Sequence, residues 1–311
     1  MARETDISWI TETRPTMYMD SDSDILFLGA ESVEHQTLTY HTQDGLDLFG
    51  QSWLPKGEEP RAVVCLVHGL GEHASRYEPL GHYLAERRYA LFTYDMRGHG
   101  RSAGPRGDAP SYDALLSDIG LPLTEAARRY AKAPRFLYGH SMGGNLVLNY
   151  ALRRTTQLTG VIASSPWLRL AFAPPSWKQT VGRLLLRLRP GATLDAALDA
   201  ADLSHDEEVV AAYAQDRLVH GRVSARLYFA IAEGGEYALA HAAEFRQPLL
   251  MMQGSADPIV DPAATREFAE QVRGRCNLLF WDGLFHELHN EVEREEVFEA
   301  LWHWMEERRP V

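Results

Sequence analysis

Short apolar runs alternate with amphipathic stretches along most of the chain. A run such as Ala62–Val67 is continuous, rich in β-branched residues and followed by glycine, which is typical of a strand buried on both faces of a parallel sheet. Helical patterns of roughly 10–15 residues separate such runs, which indicates βαβ units and a mostly parallel sheet with helices on both faces. The pattern predicts a hairpin over Gln36–Leu54, strands at Ala62–Val67, Ala90–Tyr94, Phe136–Gly139, Val161–Ser164, Leu249–Gln253 and Leu278–Trp281, and helices at Tyr77–Arg88, Tyr112–Ala131, Met142–Arg153, Ala263–Val272 and Val292–Glu307.

Two segments depart from this rhythm. Residues 1–33 are polar, acidic and without a clear period, so we expect an N-terminal extension. Residues 167–245 follow the sixth predicted strand and are mostly helical in pattern, so we expect a lid inserted over a core made of 34–166 and 246–311. Charge divides this insert: residues 166–190 contain five basic residues and no acidic one, whereas residues 195–208 contain six acidic residues and no Lys or Arg.

Composition excludes several classes of protein. The 311 residues carry a formal net charge of −12, which disfavours binding to a nucleic-acid backbone. Two cysteines provide no disulfide framework, the N-terminus lacks an apolar leader, and no stretch is apolar for long enough to span a membrane. We therefore expect a soluble cytoplasmic protein without a transmembrane segment.

The sharpest local signal is Gly139-His140-Ser141-Met142-Gly143, which fits G-x-S-x-G. An apolar strand precedes it and a helical pattern follows it, as this motif requires. A tight strand-to-helix turn lifts the serine hydroxyl above the sheet, and the small flanking residues let neighbouring chain segments approach. The sequence therefore predicts Ser141 as a catalytic nucleophile.

A nucleophilic serine needs a histidine base, and the base needs an orienting carboxylate. For this motif the chain order is serine, acid, histidine, each following a strand. Asp257 is the favoured acid; Asp282 stands only four residues before the histidine candidate, and Asp261 is an alternative. His286 follows the last strand in a loop and is the favoured base, with His289 expected to be structural.

Acyl transfer also requires two N–H donors for the developing oxyanion. The N–H of Met142, directly after the nucleophile, is one candidate. The loop His68-Gly69-Leu70-Gly71 after the strand at 62–67 offers Leu70 as the other, because its flanking glycines let the backbone close on a substrate carbonyl.

Two motifs suggest other chemistry, and neither is supported. His286-Glu287-Leu288-His289 places its histidines at i and i+3, whereas the zinc motif of this type needs i and i+4 on one helix. Residues 98–104 (GHGRSAG) have one residue too many for a dinucleotide loop. We therefore expect no metal and no cofactor, and we interpret 98–104 as a structural turn.

Five segments resemble the monoacylglycerol lipase and lysophospholipase branch of the α/β-hydrolases. They are HGLGEHASRY (68–77), YDMRGHGRSAG (94–104), GHSMGG (139–144), GSADPIVDP (254–262) and GLFHELHNE (283–291). The resemblance runs from about residue 36 to the C-terminus. It implies an α/β-hydrolase fold with a lid after strand 6, the triad Ser141, Asp257 and His286, and the oxyanion donors Leu70 and Met142.

The insert contains a dense set of apolar residues, among which Trp167, Leu170, Phe172 and Leu184 are expected to bind substrate. The resemblance implies a lipid ester as substrate: a monoacylglycerol, cleaved to fatty acid and glycerol through an acyl-enzyme. A lysophospholipid or a short-chain ester is the alternative. The basic part of the insert suggests peripheral contact with lipid surfaces, although the same helix pattern also fits packing on the core with arginines pointing outward. Because all three triad members are present, a non-catalytic binding scaffold is disfavoured.

Overall fold

The structure, a computed structural model, describes residues 32–309 apart from Thr156, Pro174, Ala197 and Arg273. Nearly all of the predicted N-terminal extension therefore lies outside the described residues. Its last residue, Val33, begins the first strand.

Eight strands form one twisted sheet in the order β1-β2-β4-β3-β5-β6-β9-β10. The first two strands form the predicted hairpin, and β2 runs antiparallel to both of its neighbours, β1 and β4, whereas all other pairs in this sheet are parallel. The strands are β1 (Val33–His41), β2 (Asp47–Pro55), β3 (Ala62–Val67), β4 (Tyr89–Tyr94), β5 (Arg135–His140), β6 (Gly160–Ser164), β9 (Leu249–Gly254) and β10 (Cys276–Trp281), with β7 (Thr193–Asp195) and β8 (Arg222–Ser224) forming a separate pair.

Helices cover both faces of the sheet, as predicted. The helices are α1 (Glu78–Glu86), α2 (Tyr112–Arg129), α3 (Met142–Arg153), α4 (Ser176–Leu188), α5 (Glu207–Gln215), α6 (Ala225–His241), α7 (Pro262–Gln271) and α8 (Arg294–Glu306), with short 3₁₀ turns at Ala74–Tyr77, Ala200–Asp202, Ala242–Glu244 and Leu288–Asn290. Helices α1 and α8 pack on one face, and α2, α3 and α7 on the other. Successive residues of β3 contribute to the two cores in turn: Val63 and Cys65 point to one, Val64 and Leu66 to the other.

The sheet is interrupted in sequence between β6 and β9, where the insert 167–245 contains α4 to α6 and the pair β7-β8. The sequence pattern predicted helices here and missed this antiparallel pair. Each of its strands has three residues, too few for an alternation of apolar and polar positions to appear.

The insert is joined to the core unevenly. On α3, the buried amides of Asn145 and Asn149 donate to the carbonyls of Ile231 and Gly234, which fixes α6 against the core. By contrast, α4 is exposed along almost its whole length, and Gly182 is its one buried residue among those described. The part of the insert that contains α6 is therefore firmly anchored, whereas α4 lies on the surface.

No helix in the described ranges combines the length and apolar character that crossing a membrane requires.

The contact between α6 and the start of the insert depends on Gly235. A Cβ atom there would lie 2.2 Å from the carbonyl oxygen of Leu168, whereas one at Gly120 of α2 would meet nothing closer than 4.0 Å. We expect Gly235→Ala to lower the free energy of unfolding by about 1–3 kcal/mol, because backbone has to move. Gly120→Ala should be neutral or stabilising by up to about 1 kcal/mol. Urea denaturation of both variants measures this, and equal stabilities would contradict the packing described.

Candidate active site

Ser141 occupies a sharp turn between β5 and α3. Its backbone has φ 53° and ψ −116°, a strained conformation for a residue with a side chain, and its N–H donates to the carbonyl of Ser164 at 3.0 Å. The turn is this tight because neighbouring chain segments nearly touch: a Cβ at Gly139 would lie 2.3 Å from the carbonyl oxygen of Gly143, and one at Gly143 would lie 2.1 Å from that of Val67. This crowding is the physical reason for both glycines of the motif.

A chain of hydrogen bonds joins three buried side chains. His286 Nε2 lies 2.9 Å from Ser141 Oγ, and its Nδ1 lies 2.8 Å from Asp257 Oδ2. Asp257 is held in turn by the Gln253 amide at 2.9 Å and by two backbone N–H groups of its own loop. Because an ionised carboxylate only accepts, Nδ1 of His286 carries a proton and Nε2 is free to accept one from the serine hydroxyl.

The surroundings of His286 set its basicity. Burial lowers its pKa, but the charge of Asp257 and the hydrogen bond to it outweigh burial, and Glu287 and Glu72 add to the same effect, so the pKa of His286 lies above its usual 6.5. The ring of His140 lies 4.8 Å from the ring of His286 and 4.8 Å from that of His289, measured between ring centroids. Burial lowers the pKa of His140 and that of His289, the latter to about 3, so both are neutral neighbours.

The other candidates for the acid and the base stand elsewhere. Asp282 is exposed and accepts from Ser255, and Asp261 caps α7 while pairing with Arg169. His289 is buried and stacks on Tyr77 with a centroid distance of 4.4 Å, in a packing position as predicted. The structure thus brings Ser141, His286 and Asp257 together and leaves the alternatives apart.

The loop after β3 lies against the turn that contains Ser141. A Cβ at Gly69 would be 3.2 Å from Cβ of Ser141. Glu72 accepts the N–H of Gly69 at 2.5 Å, and His68 accepts the N–H of Met96 at 2.8 Å, so the loop is held from both sides. Among the described residues no acceptor takes the N–H of Leu70 or Met142, which leaves both N–H groups available to an oxyanion.

Next to His286 lies a buried ionic cluster that the sequence analysis did not identify. Arg76 donates to both oxygens of Glu287 at 2.5 and 2.6 Å and to Glu72 at 3.0 Å. Burial raises the pKa of Glu72, whereas for Glu287 the charge and hydrogen bonds of Arg76 outweigh burial and lower the pKa to about 2. Both carboxylates lie in the segments quoted above, where the sequence shows Glu287 only as part of a zinc-like motif.

A cavity of about 220 Å³ opens onto Ser141 between the core and the insert. Trp167, Leu170 and Phe172, three of the four residues expected to bind substrate, line it together with Tyr228, Phe229, Leu203, Val223, Ile259 and Val260. The expectation for Leu184 was wrong: this side chain is 55% exposed on α4 and does not line the cavity. Leu184 belongs to a stripe of apolar residues on α4 that faces away from the site, and sequence alone did not distinguish the two faces of that helix.

The two motifs set aside above have structural explanations. In the described ranges no group of three His, Cys, Asp or Glu side chains is arranged to hold a metal ion. The segment 98–104 forms a turn in which Gly98, Gly100 and Gly104 have positive φ. A Cβ at Gly100 would lie 2.2 Å from the carboxylate of Asp95. This carboxylate accepts hydrogen bonds from the backbone N–H groups of Ala74 and Arg101.

The geometry agrees with a comparison to known families. Residues 58–293 match the family of hydrolases described as serine aminopeptidase, S33, and the matched range includes Ser141, Asp257 and His286. The chain belongs to this family. As a member of the S33 family it is a serine hydrolase, and its sheet order, with the insert after β6, is that of the α/β-hydrolase fold.

Comparison with individual proteins shows to which branch of the superfamily this S33 member belongs. A monoacylglycerol lipase of Mycolicibacterium smegmatis is 32% identical over 84% of this chain and 93% of its own length. The crystal structure of a monoacylglycerol lipase of Paleococcus ferrophilus superposes with a TM-score of 0.73, at 30% identity, over 88% of this chain and 99% of that one. An uncharacterized abhydrolase domain-containing protein of Dictyostelium discoideum is 36% identical over 86% of this chain, which spans 28% of that protein. The chain thus lies on the monoacylglycerol lipase branch of the α/β-hydrolase superfamily.

The raised pKa of His286 can be measured directly. We expect NMR titration to find it protonating above pH 6.5, because Asp257 stabilises the imidazolium. In Asp257→Asn the pKa should fall below 6.5, since burial then acts without the compensating charge. A value for His286 below 6.5 in the unmodified protein would contradict the electrostatic account.

Proposed function

We propose that this protein is a carboxylester hydrolase that cleaves monoacylglycerols through an acyl-enzyme on Ser141. The observation that carries the proposal is the chain Ser141–His286–Asp257, located at the base of a largely apolar cavity. The similarity to monoacylglycerol lipases over nearly the whole length of those proteins supports the choice of substrate.

Each group has a defined part in the reaction. Ser141 Oγ attacks the ester carbonyl while His286 Nε2 takes its proton, and Asp257 stabilises the imidazolium that forms. The N–H groups of Leu70 and Met142 bind the oxyanion, and each donor contributes about 3 kcal/mol to transition-state stabilisation. His286 then protonates the departing glycerol oxygen, and a water molecule, activated in the same way, releases the fatty acid from Ser141.

The two ends of the cavity suit the two parts of a monoacylglycerol. Side chains of the insert, among them Leu170, Tyr228 and Phe229, offer an acyl chain a largely apolar surface. Glu72 and Glu287 line the cavity on the side of His286, where a leaving alcohol has to stand to receive its proton. An ester of a long apolar acid with a small polyol matches this division.

The insert 167–245 acts as a lid in this proposal. On α4 the side chains of Trp177, Val181, Leu184 and Leu188 recur at helical spacing on one face and are between 39% and 70% exposed. Gln179 and Gly182, which line the cavity, lie on the opposite face. A helix with a cavity on one side and an exposed apolar stripe on the other is suited to rest on a lipid surface while substrate enters.

Charge on α4 supports the same orientation. Arg183 and Arg187 are exposed beside the apolar stripe, and neither forms an ion pair within the described residues. Each such charge near an anionic lipid surface is worth about 1 kcal/mol, and the attraction acts over about 10 Å at 0.1 M salt. The local attraction therefore has to overcome the net charge of −12 at short range.

Removal of the nucleophile tests the mechanism. We expect Ser141→Ala to lower kcat for long-chain monoacylglycerol by about 10⁶-fold, and Asp257→Asn to lower it by about 10⁴-fold, because His286 then adopts the wrong tautomer. Circular dichroism should show an unchanged fold in both. Asp282→Asn is the matched control and should keep full activity. An active Ser141→Ala protein would exclude the proposed nucleophile.

Reversal of charge on α4 tests the contact with lipid. We expect Arg183→Glu with Arg187→Glu to slow hydrolysis of long-chain monoacylglycerol in anionic vesicles by about tenfold at low salt, and less at high salt. Hydrolysis of a soluble short-chain ester should hardly change, because the triad is untouched.

Lys132→Glu with Arg275→Glu makes the same change in net charge at the opposite end of the sheet, since these residues precede β5 and β10. This control should behave like the unmodified enzyme on both substrates. Equal loss on vesicles and on soluble ester for the α4 variant would mean that the arginines stabilise the insert and do not bind lipid.

A further inference from the structure

The carboxylate of Asp257 is buried and depends on hydrogen bonds for its stability. Its side chain has no exposed surface, and its one ion-pair partner among the described residues is His286. The N–H groups of Ile259 and Val260 donate to Oδ1 at 2.9 and 3.0 Å, and the Gln253 amide and His286 Nδ1 donate to Oδ2 at 2.9 and 2.8 Å. These four donors replace the water that would otherwise stabilise the charge.

The two oxygens of Asp257 are held in different ways. Oδ1 is fixed by backbone N–H groups of the loop that contains Asp257 itself. Oδ2 is bound by two side chains, and one of them, His286, changes during the reaction, when it gains a second proton and becomes a cation. The direction of Oδ2 therefore depends on the other side chain, the amide of Gln253.

The amide of Gln253 is oriented by its two partners. A carboxylate only accepts hydrogen bonds, so Nε2 has to face Asp257 and Oε1 has to face away from it. Oε1 accepts a hydrogen bond from the hydroxyl of Thr265 at 2.9 Å. Gln253 lies near the end of β9 and Thr265 in the first half of α7, and both are 0% exposed. A hydroxyl of a neighbouring helix thus holds the amide that holds Asp257.

Packing alone does not account for this polar pair. The four residues of β9 before Gln253, Leu249–Met252, are all apolar and buried. Two apolar side chains of similar shape would fill the same space without the cost of removing an amide and a hydroxyl from water. The one polar side chain of this strand stands where it reaches Asp257, which indicates that its hydrogen bonds serve the site.

The contacts form one continuous chain of buried side chains. From α7 to the nucleophile it consists of Thr265, Gln253, Asp257, His286 and Ser141, with successive distances of 2.9, 2.9, 2.8 and 2.9 Å. When the proton of Ser141 passes to His286, the carboxylate has to keep its direction beside the imidazolium. Donors that are already in place provide this without rearrangement.

We propose that Gln253 and Thr265 are positioning residues of this hydrolase. Thr265 holds the amide of Gln253, and Gln253 holds Oδ2 of Asp257 in line with Nδ1 of His286. Neither Gln253 nor Thr265 lines the cavity, so both act through the triad and not on the substrate. The inference rests on the proposed function, because it takes Ser141, His286 and Asp257 in the roles given above.

Removal of the Thr265 hydroxyl tests the outer end of the chain. Thr265→Val replaces the hydroxyl by a methyl group and leaves Oε1 of Gln253 without its donor. We expect kcat for a soluble short-chain ester to fall by about tenfold, because a small displacement of a catalytic group is costly. KM should stay the same, because the cavity is untouched. The loss is smaller than that expected for Asp257→Asn, since the carboxylate is still present.

Two further substitutions separate positioning from stability. Thr265→Ser keeps a hydroxyl at the same place and should recover most of the kcat that Thr265→Val loses. Thr93→Val is the matched control: it removes an equally buried hydroxyl, which donates to the carbonyl of Leu66, and should leave kcat unchanged. Urea denaturation shows how far each variant is destabilised. Equal losses of kcat in Thr265→Val and Thr265→Ser, or a similar loss in Thr93→Val, would overturn the proposal.

A double-mutant cycle tests whether Thr265 acts through Gln253. Gln253→Met keeps an unbranched side chain of similar length and removes the donor to Asp257, so we expect kcat to fall by about tenfold or more. Adding Thr265→Val to Gln253→Met should then cause no further loss of kcat, because the amide that Thr265 holds is gone. Additive losses would mean that the two residues act independently, which contradicts the proposed chain.

This proposal and the proposed function fail in different ways. If Ser141→Ala stays active on the soluble ester, the proposed nucleophile is wrong and the function with it. If Ser141→Ala is inactive and Thr265→Val keeps the kcat of the unmodified enzyme, the function stands and Thr265 is not a positioning residue. If the unmodified enzyme cleaves the soluble ester but no long-chain monoacylglycerol, the proposed substrate is wrong and the cycle still tests the chain.

Discussion

The rest of the site depends on the close approach of chain segments around Ser141. The residue is held in a strained conformation because β5 ends and α3 begins within one turn, and the backbone of the loop after β3 is packed against that turn. Side chains at Gly139 or Gly143 would separate these segments. The strain is sustained by the rigid parallel strands on either side, and it places the hydroxyl of Ser141 and the N–H groups of Leu70 and Met142 on one side of the sheet.

The same crowding explains why polar groups around the site are buried. The Gln253 amide donates a hydrogen bond to Asp257, and Glu72 accepts one from the backbone of the loop after β3. These bonds replace the ones that water would otherwise supply to the buried groups. Buried charge is tolerated only where it is paired, and Arg76 provides that pairing for Glu72 and Glu287. The arrangement leaves a cavity with an apolar acyl end and an acidic alcohol end, bordered by an insert whose outer surface is basic.

Local pattern was sufficient to predict the sheet, its helices and the residues that meet at Ser141. Buried parallel strands have a distinctive continuous apolar pattern, and functional residues on such a sheet follow strand ends, so Ser141, Asp257 and His286 could be identified from their positions. The ionic cluster could not be identified in this way, because Arg76 and Glu287 are 211 residues apart and only the folded chain joins them. The orientation of Leu184 was missed for a related reason. The sequence of α4 shows that apolar residues share one face of the helix, but it does not show whether that face is turned to the cavity or to the outside.

The central claim is that one serine, two backbone N–H groups and an apolar cavity form a single acyl-transfer site. The most direct measurement is a crystal structure of the protein inactivated with a long-chain alkyl fluorophosphonate, whose tetrahedral phosphorus imitates the reaction intermediate. The account predicts a covalent bond to Ser141 Oγ, the phosphonyl oxygen within hydrogen-bonding distance of the N–H groups of Leu70 and Met142, and the alkyl chain against the insert near Leu170 and Phe229. A phosphonate bonded to another residue, or an alkyl chain lying on the side of Glu72 and Glu287, would contradict it.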